Sequence, residues 1–334
     1  MKIKDNMKNF RCKNLLITGG AGFIGSNFIK YIFNNYKGVN VYNLDLLTYA
    51  GDLQNTIEFN NNSGYKFIKG DICDNFLLNE IFSKYNIDGV INFAAESHVD
   101  NSIVNPDIFI KTNINGVFNL LNIAYKYWMD KPHKVKHLYK HSRFHHVSTD
   151  EVFGSIESGS FSENSPYNPS SPYSGSKAAA DHLVNSFNIT YGLSTSISIS
   201  SNNFGKNQNK EKLIPKIINC LKNKLPIPVY GDGHNIRNWI SVEDNCSGID
   251  TIFNNSLSGK TYNIAGTDEI SNLKVIEIIS QKLNIEKAEI NFIEDRFGHD
   301  QRYSVSTNKI RSELSWLPKF DFDEKITEYI KSEI

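Results

Sequence analysis

The strongest constraint on the fold is a glycine-rich turn near the start of the chain. Residues 14–18 form a short apolar stretch that predicts a strand, followed by Gly19, Gly22 and Gly25 and then by a predicted helix from about residue 26 to 33. Strand, glycine turn and helix in this order are the context in which the pyrophosphate of a dinucleotide approaches the backbone at a helix N-terminus. The spacing differs from Gly-x-Gly-x-x-Gly, and a glycine turn alone also serves simply to reverse the chain.

A second predicted strand, residues 39–44, ends at Asp45, about 20 residues after Gly25, where an acid hydrogen-bonds the ribose of NAD and disfavours the 2′-phosphate of NADP. The alternative is an aspartate that caps a helix or lies on the surface. A third strand, residues 66–72, places Asp71 to meet the adenine. A fourth, residues 89–93, opens into small residues that leave space for a cofactor at the strand end.

Strands that alternate with helical stretches, such as residues 112–128, predict an α/β fold with a Rossmann-type doubly wound parallel sheet. After a strand at residues 194–200 the character of the chain changes. We therefore expect an NAD-binding domain at residues 11–200, with a returning segment near 239–265. Residues 201–334 are expected to form mainly a smaller α/β domain that binds the substrate.

The chemistry is indicated by two adjacent carboxylates, Asp150 and Glu151, about two dozen residues before Tyr173 and Lys177. On a helix, Tyr173 and Lys177 lie one turn apart on the same face. A lysine there is expected to lower the pKa of the phenol from about 10 and make it a usable base. Since oxidising an alcohol needs one base, the acid pair indicates a further proton transfer, which suggests oxidation coupled to elimination.

Composition excludes several other classes of function. In 334 residues, Lys plus Arg and Asp plus Glu number 36 each, so net charge gives no indication of nucleic acid or a membrane surface as partner. The longest apolar runs are shorter than the roughly 20 residues of a membrane span. The first ten residues are polar, unlike a secretory signal, and we expect an irregular lead-in. Four scattered cysteines predict reduced thiols, a cytoplasmic location and no bound metal.

Residues 133–146 are rich in histidine. His133, His137, His141 and His145 recur every fourth residue, which on one helix would suggest a metal site. Residues 143–148 predict a strand that leads into the carboxylate pair, so one helix cannot carry all four. We therefore predict a surface loop or short basic helix, without a metal.

Several motifs together carry a resemblance to a known family. The chain resembles the extended short-chain dehydrogenase/reductases and, within them, the NAD-dependent nucleotide-sugar 4,6-dehydratases. The matching motifs extend over most of the chain, from Thr18 to Tyr303, and lie at residues 47–51, 70–74, 94–100, 148–154, 211–215 and 295–303.

The resemblance implies an NAD site, a nucleotide-sugar site and a homodimer joined by a four-helix bundle of two helices from each subunit, near residues 112–128 and 173–190. By motif match, the NAD contacts are Phe23, Ile24, Asp45, Thr48, Asp71, Ile72, Thr112, Tyr173, Lys177 and Asn203. The nucleotide-sugar contacts are Ser97, Thr149, Asn202, Lys212, Leu213, Tyr230, Arg237, Asn272, Arg296 and His299, with Asn272 placed by spacing alone.

The implied reaction dehydrates a nucleoside-diphosphate glucose to its 4-keto-6-deoxy derivative, as in the synthesis of rhamnose-type deoxysugars. Tyr173 removes the O4 proton while C4 is oxidised, and Thr149 hydrogen-bonds the same oxygen. Glu151 then takes the C5 proton, and protonated Asp150 assists loss of the C6 hydroxyl. Both carboxylates reach one substrate only if the strand bends where it ends.

Alternatives stay open at this stage. A nucleotide-sugar 4-epimerase and a UDP-glucuronate decarboxylase use the same fold, and a non-catalytic NAD-binding protein would share the glycine turn. The sequence leaves the base as thymine or uracil, which differ by a methyl group, a difference worth about 1–3 kcal/mol in an apolar pocket.

Overall fold

The computed structural model describes residues 8–333 of the chain. The strands are β1 (Lys8–Asn9), β2 (Asn14–Thr18), β3 (Tyr36–Lys37), β4 (Asn40–Asp45), β5 (Tyr65–Lys69), β6 (Gly89–Asn92), β7 (Met129–Lys131), β8 (Lys134–Val135), β9 (Arg143–Thr149), β10 (Thr195–Ser200), β11 (Asn202–Phe204), β12 (Ile227–Tyr230), β13 (Ile236–Ser241), β14 (Lys260–Ile264), β15 (Asp268–Ser271) and β16 (Ile290–Ile293). The helices are α1 (Phe23–Asn35), α2 (Asn75–Tyr85), α3 (Val99–Val104), α4 (Asp107–Phe109), α5 (Val117–Trp128), α6 (Pro172–Tyr191), α7 (Leu213–Lys222), α8 (Val242–Asn255), α9 (Asn272–Lys282), α10 (Asn308–Leu314) and α11 (Phe322–Glu333).

Within residues 8–333, seven strands form one sheet in the order β14-β10-β9-β6-β2-β4-β5, and every neighbouring pair is parallel. Strands such as β2, β6 and β10 are apolar or buried along almost their whole length because helices cover both faces. The predicted α/β class with a doubly wound parallel sheet is confirmed.

Alternate residues of the central strands enter different cores. Leu16 of β2 packs with α2, α5 and α6 on one face of the sheet. Leu15 and Ile17 pack with α1 and α8 on the other. This alternation follows from the period of two in a strand and holds the sheet between two helical layers.

The smaller unit has a core of its own. Strands β11, β13 and β15 form one sheet and β12 pairs with β16, while α7, α9 and α11 pack over a separate apolar cluster. The segment expected to return, 239–265, contains α8 and β14. Helix α8 packs against α1, and β14 pairs with β10 at the edge of the main sheet. The assignment of cofactor and substrate to the two units stays a prediction.

Element boundaries differ from expectation at several places. Strand β5 ends at Lys69, three residues before the predicted end at residue 72. Helix α1 begins at Phe23, three residues before the predicted start. The predicted helix 112–128 is a π-helical turn, Ile110–Gly116, continued by α5. Strand β1 pairs with β3, so the irregular lead-in that we expected over ten residues does not include Lys8–Asn9. Residues 1–7 lie outside the described part of the chain.

Candidate active site

The order of strands reverses between β2 and β6, with β4 and β5 on one side and β9, β10 and β14 on the other. In open α/β sheets the crevice at the carboxyl ends of such strands is where ligands bind. The turn after β2 and the end of β6 meet there, because a Cβ added to Gly19 would lie 2.7 Å from the backbone nitrogen of Ala94.

The glycine turn fits an anion. Gly19 has a φ of +70°, and a Cβ on Gly25 would collide with the carbonyl oxygen of Gly19. Gly22 is the N-cap of α1, and no side chain in the described part of the chain caps this helix. The first-turn N–H groups, including those of Phe23 and Ile24, therefore lack helical and side-chain acceptors, which suits a pyrophosphate.

Asp45 closes the same turn from the end of β4. Its carboxylate accepts the N–H of Ala21 at 2.9 Å and that of Leu47 at 2.8 Å. Burial raises the pKa of Asp45, and these two hydrogen bonds oppose the rise. The residue sits beside the glycine turn, as a ribose ligand of a bound dinucleotide would.

The remaining predicted NAD contacts lie around this crevice. Asp71 is half-buried, 3.5 Å from the Lys111 ammonium, and Ile72 packs in the core next to Gly116. Thr48 is exposed in the turn after β4, and Thr112 is half-buried in the π-helical turn. The side-chain oxygen of Asn203 is buried without a hydrogen-bond partner among the described residues, so it can accept from a ligand. These features fit NAD, and the binding of its pyrophosphate by Gly19, Gly22 and Gly25 stays a prediction.

The carboxylate pair follows β9 directly. The strand ends at Thr149, and a 3₁₀ turn, Asp150–Phe153, continues the chain. The bend predicted at this strand end is therefore present. Thr149 caps the turn by accepting the N–H of Glu151 at 3.4 Å, and both carboxylates lie close enough to Tyr173 to raise its pKa.

The surroundings of the two carboxylates differ. Asp150 is 3% exposed, and burial, followed by the charge of Glu151, raises its pKa to about 8. Burial also raises the pKa of Glu151, but three cations oppose this rise: Arg296, Arg237 and Lys212. One acid is thus held neutral near pH 7, beside a second that is surrounded by positive charge, as paired acid and base roles require.

Tyr173 and Lys177 lie in α6, which starts with a capping box of Ser171 and Ser174 and with Pro172 in its first turn. The Tyr173 hydroxyl is hydrogen-bonded to Thr149. The prediction that Lys177 lowers the pKa of Tyr173 is wrong for the chain by itself. Burial and the negative charge of Glu151 raise this pKa well above its usual value. The Lys177 ammonium instead donates to the Val147 carbonyl at 2.7 Å.

Three predicted substrate ligands bring positive charge to the carboxylates. The Lys212 ammonium donates to the Ser97 carbonyl at 3.0 Å. Arg237 is buried, with its guanidinium donating to the Asp300 carbonyl at 2.8 Å and centred 4.1 Å from the ring of Tyr303. Arg296 lies 3.6 Å from an oxygen of Asp100. These cations act on Glu151, so the structure brings them to one site.

Tyr230 and His299 lie beside Arg296. The Tyr230 hydroxyl donates to Asp100 at 2.9 Å, and its ring centre lies 6.3 Å from that of His299. His299 Nδ1 lies 2.6 Å from Asp295, and burial, followed by the charge of Arg296, lowers the pKa of His299.

Three other predicted substrate ligands are located here by their places in strands and helices. Asn202 pairs with Trp239 between β11 and β13, and Leu213 is the first residue of α7. Asn272 begins α9, and its backbone N–H donates to the Asn235 carbonyl. Among residues 8–333 no hydrogen bond or ion pair joins the side chains of these three to the carboxylate pair, and their role as substrate ligands stays a prediction.

Several residues in the site were not predicted from the sequence. Asp100 joins Tyr230 to Arg296, and Tyr303 lies against Arg237. Asp181 and His146 are fully buried near Lys177. The spacing of four residues between Lys177 and Asp181 was a signal for that pair, since such positions share a helix face.

The histidine-rich stretch does not form one helix. His133 and His141 are exposed, and His137 lies in a short 3₁₀ turn. His145 is buried between Ser196 and Ser198. Among residues 8–333, no group of three His, Cys, Asp or Glu side chains is placed to hold a metal. Within the same residues, every helix is too short or too polar to cross a membrane.

Comparison with known proteins gives a consistent result. The family model described as GDP-mannose 4,6 dehydratase matches residues 16–329. The chain is 45% identical over 333 residues to a dTDP-glucose 4,6-dehydratase of Neisseria gonorrhoeae, covering 96% of this chain and 95% of the relative.

Two solved structures frame the comparison of folds. The dTDP-glucose 4,6-dehydratase DesIV of Streptomyces venezuelae, solved with NAD bound, superposes with a TM-score of 0.89 at 37% identity, covering 95% of this chain and 96% of that one. A UDP-glucose 4-epimerase of Thermotoga maritima gives a TM-score of 0.84 at 24% identity, covering 95% and 97% respectively, and at that identity the likeness concerns the fold alone.

Proposed function

The chain belongs to the GDP-mannose 4,6-dehydratase family, and on this premise we propose that it is an NAD-dependent enzyme that dehydrates dTDP-glucose to its 4-keto-6-deoxy derivative, for deoxysugar biosynthesis. The observation that carries the proposal is the pair of carboxylates at the end of β9. They share one buried site with Tyr173. Burial raises the pKa of both carboxyls, but Arg296 and Lys212 join Arg237 in opposing the rise at Glu151, whereas of these three cations only Arg237 does so at Asp150.

Tyr173 is the base for the O4 hydroxyl, with Thr149 hydrogen-bonded to it so that both can hold the same sugar oxygen. A ketone at C4 acidifies the C5 proton, which Glu151 then removes. Asp150, held neutral by burial, protonates the departing C6 hydroxyl so that water leaves. NAD held by the glycine turn and Asp45 would supply the acceptor and donor of hydride for this sequence, and its oxidised nicotinamide would carry a positive charge that favours the phenolate of Tyr173.

We assign the positively charged side chains of the site to the nucleotide end of the substrate. Arg296 and Lys212 are half-buried at the mouth of the site and can bind a diphosphate, and Tyr230 adds a ring beside them. Arg237 donates to backbone carbonyls, and its charge opposes the rise in the pKa of Asp150. We therefore assign it mainly to the carboxylate pair, with the diphosphate as its second partner. The choice of thymidine over uridine rests on the names of the relatives.

A parallel assay with dTDP-glucose and UDP-glucose tests the proposal. Without added cofactor, the purified protein is expected to form a 4-keto-6-deoxy sugar from dTDP-glucose at a higher kcat/KM than from UDP-glucose. Recovery of dTDP-galactose instead would support the 4-epimerase alternative. Release of carbon dioxide from UDP-glucuronate would support the decarboxylase, and no conversion of any of the three would leave a non-catalytic protein.

Turnover is expected to fall as pH rises through about 8, since Asp150 acts in its protonated form and its pKa is raised to about 8. The sign follows from the role: an acid that donates a proton loses activity above its pKa. The check is kcat for product formation on both sides of that pH, with substrate saturating. A rate that keeps rising well above this pH would contradict the assignment of Asp150 as the acid.

Gly19→Ala is expected to reduce the NAD retained by the purified protein. A side chain at a φ of +70° costs about 1–2 kcal/mol, and here the new Cβ would also lie 2.7 Å from the Ala94 backbone. Gly159→Ala is the matched control, since its φ is +74° but nothing lies within 4 Å of an added Cβ. NAD per chain after gel filtration is the measurement, and equal retention in both variants would show that close packing at Gly19 does not shape the cofactor turn.

We further propose a homodimer in which α5 and α6 form a four-helix bundle with their symmetry mates. Phe118 of α5 is 45% exposed and Ile189 of α6 is 75% exposed, an arrangement suited to burial against a partner. Light scattering of the purified protein tests this, and a monomer mass would refute it. The four free cysteines agree with a reducing compartment, so we propose the cytoplasm, testable by cell fractionation.

A further inference from the structure

A buried polar chain crosses the sheet behind the active site. The Ala94 N–H donates to the Thr18 hydroxyl, which donates in turn to the side-chain oxygen of Asn92. The Asn92 amide nitrogen then faces His146 Nδ1 at 3.1 Å. This series of hydrogen bonds therefore crosses the neighbouring strands β2, β6 and β9. Its members Thr18, Asn92 and His146 are fully buried.

These hydrogen bonds determine which ring nitrogen of His146 carries the proton. Because the Asn92 oxygen is occupied by the Thr18 hydroxyl, its amide nitrogen donates to Nδ1, and the ring proton must reside on Nε2. Nε2 lies 3.3 Å from the Lys177 ammonium and 3.6 Å from Asp181 Oδ1. A protonated Nε2 cannot accept from Lys177, whose ammonium donates to the Val147 carbonyl at 2.7 Å.

Asp181 keeps one oxygen free of hydrogen bonds. Burial raises the pKa of Asp181 to about 6, while Lys177 and the hydrogen bonds from Ser148 and Tyr167 oppose the rise, so the carboxylate is ionised above that pH. It is fully buried in α6, one turn after Lys177, and its Oδ2 accepts hydroxyl protons from Ser148 at 2.7 Å and Tyr167 at 3.0 Å. Its Oδ1 is buried and has no hydrogen-bond partner among the described residues. An ionised oxygen left bare in a buried site is costly unless nearby positive charge compensates for it.

We propose that Asp181 is a positioning residue whose negative charge, close to the same His146 nitrogen as the ammonium, keeps Lys177 protonated one helical turn from the catalytic Tyr173. Lys177 is 4% exposed, so burial favours its neutral amine, and Asp181 is the charge that opposes this. Burial lowers the pKa of Lys177 to about 8 even with Asp181 present.

The titratable groups that face this pair come from each element around it. His146 on β9 is neutral, since burial and the charge of Lys177 lower its pKa. Burial and Asp181 raise the pKa of Tyr167, so it stays a hydroxyl donor. Tyr173 is on α6 itself, and the carboxylates after β9 act on it. Among these groups, Asp181 is the one whose charge supports the ammonium.

The decisive variant is Asp181→Asn, which keeps the size and removes the charge. The rate of C4 oxidation is followed in single turnover by the absorbance of reduced nicotinamide. Its fall at high pH, the high-pH arm of the profile, is expected to begin about one pH unit lower than in the wild type. Above that range the rate is then about tenfold lower than in the wild type. This step precedes the action of Asp150, so titration of Asp150 does not obscure it. Asp181→Ser removes the same charge in a smaller side chain and is expected to shift the profile the same way.

Tyr167→Phe is the matched control. It removes one hydrogen bond to Asp181 and leaves the carboxylate, so a purely structural role predicts the same profile for both variants. An unmoved high-pH arm in Tyr167→Phe and a lowered one in both neutral variants supports the inference. An unchanged arm in the neutral variants, or an equal shift in Tyr167→Phe, overturns it.

A second measurement is independent of the proposed function, on which the kinetic test rests. The unfolded chain binds more protons than the folded one between the folded Lys177 pKa of about 8 and the ordinary lysine pKa of about 10.4, so stability rises with pH in that range. Removing Asp181 should start this rise at lower pH in denaturant titrations. If the wild type fails to convert dTDP-glucose, the proposed function fails while this measurement still decides the inference.

Discussion

Replacing Tyr173 by phenylalanine is expected to lower product formation from dTDP-glucose by roughly 10²–10⁴-fold, the range that a lost general base produces. The ring that packs in the site stays, and the group that takes the O4 proton is lost. Because every later step depends on the C4 ketone, loss of this base stops the sequence before elimination begins. Reduced nicotinamide should therefore not appear even transiently.

Stopped-flow absorbance of reduced nicotinamide and product analysis would measure both effects. Tyr31→Phe is a suitable control, because the Tyr31 hydroxyl donates to Asp250, away from the carboxylate pair, and its loss should leave kcat within a few-fold. Retention of bound NAD in Tyr173→Phe separates lost chemistry from lost cofactor. Normal transient reduction with Tyr173 absent would refute its role as the base.

Asp150→Asn is expected to slow elimination by about 10²–10³-fold and to slow C4 oxidation much less. Asparagine keeps the shape of the protonated acid but cannot release a proton to the C6 oxygen. Tyr173 and Glu151 remain, so the sugar is still oxidised at C4 and its C5 proton still exchanges. Reduced nicotinamide should then accumulate during single turnover.

The measurement is the rate of reduction against the rate of product release, together with exchange of deuterium from solvent into C5 of recovered substrate. Asp88→Asn is the control, since burial raises the pKa of Asp88 as well, but it binds backbone N–H groups at the opposite end of β2. Equal loss of oxidation and elimination in Asp150→Asn would place this carboxylate in the first step and refute its role as the acid of the second.

Much of the fold was predictable because its signals are local. The apolar run at Asn14–Thr18 and the glycines after it define β2 and the start of α1. Ser171 and Pro172 mark the start of α6, which places Tyr173 and Lys177 on one face. The π-helical turn at Ile110–Gly116 had no such signal, because its hydrogen bonding depends on packing against neighbouring elements.

The electrostatics of the site were predicted less well. A spacing of four residues placed Lys177 beside Tyr173 but did not say how deeply either would be buried, and burial is what raises the Tyr173 pKa. The difference in charge around Asp150 and Glu151 depends on Arg296 and Lys212, which follow them by many residues. Asp181 has a simple sequence relation to Lys177, yet its link to His146 exists only in the assembled sheet.

The edge strand β14 has a consequence for biosynthesis on the ribosome. Strand β10 is fully buried in the finished molecule, with β9 on one side and β14 on the other, but β14 is translated much later. Until then, the nascent sheet presents the unpaired backbone of β10 as an open edge, and such edges attract other chains. The segment that closes this edge follows Arg237 and precedes Arg296, so the nascent sheet is protected from aggregation before the last of the three cations around Glu151 has been synthesised.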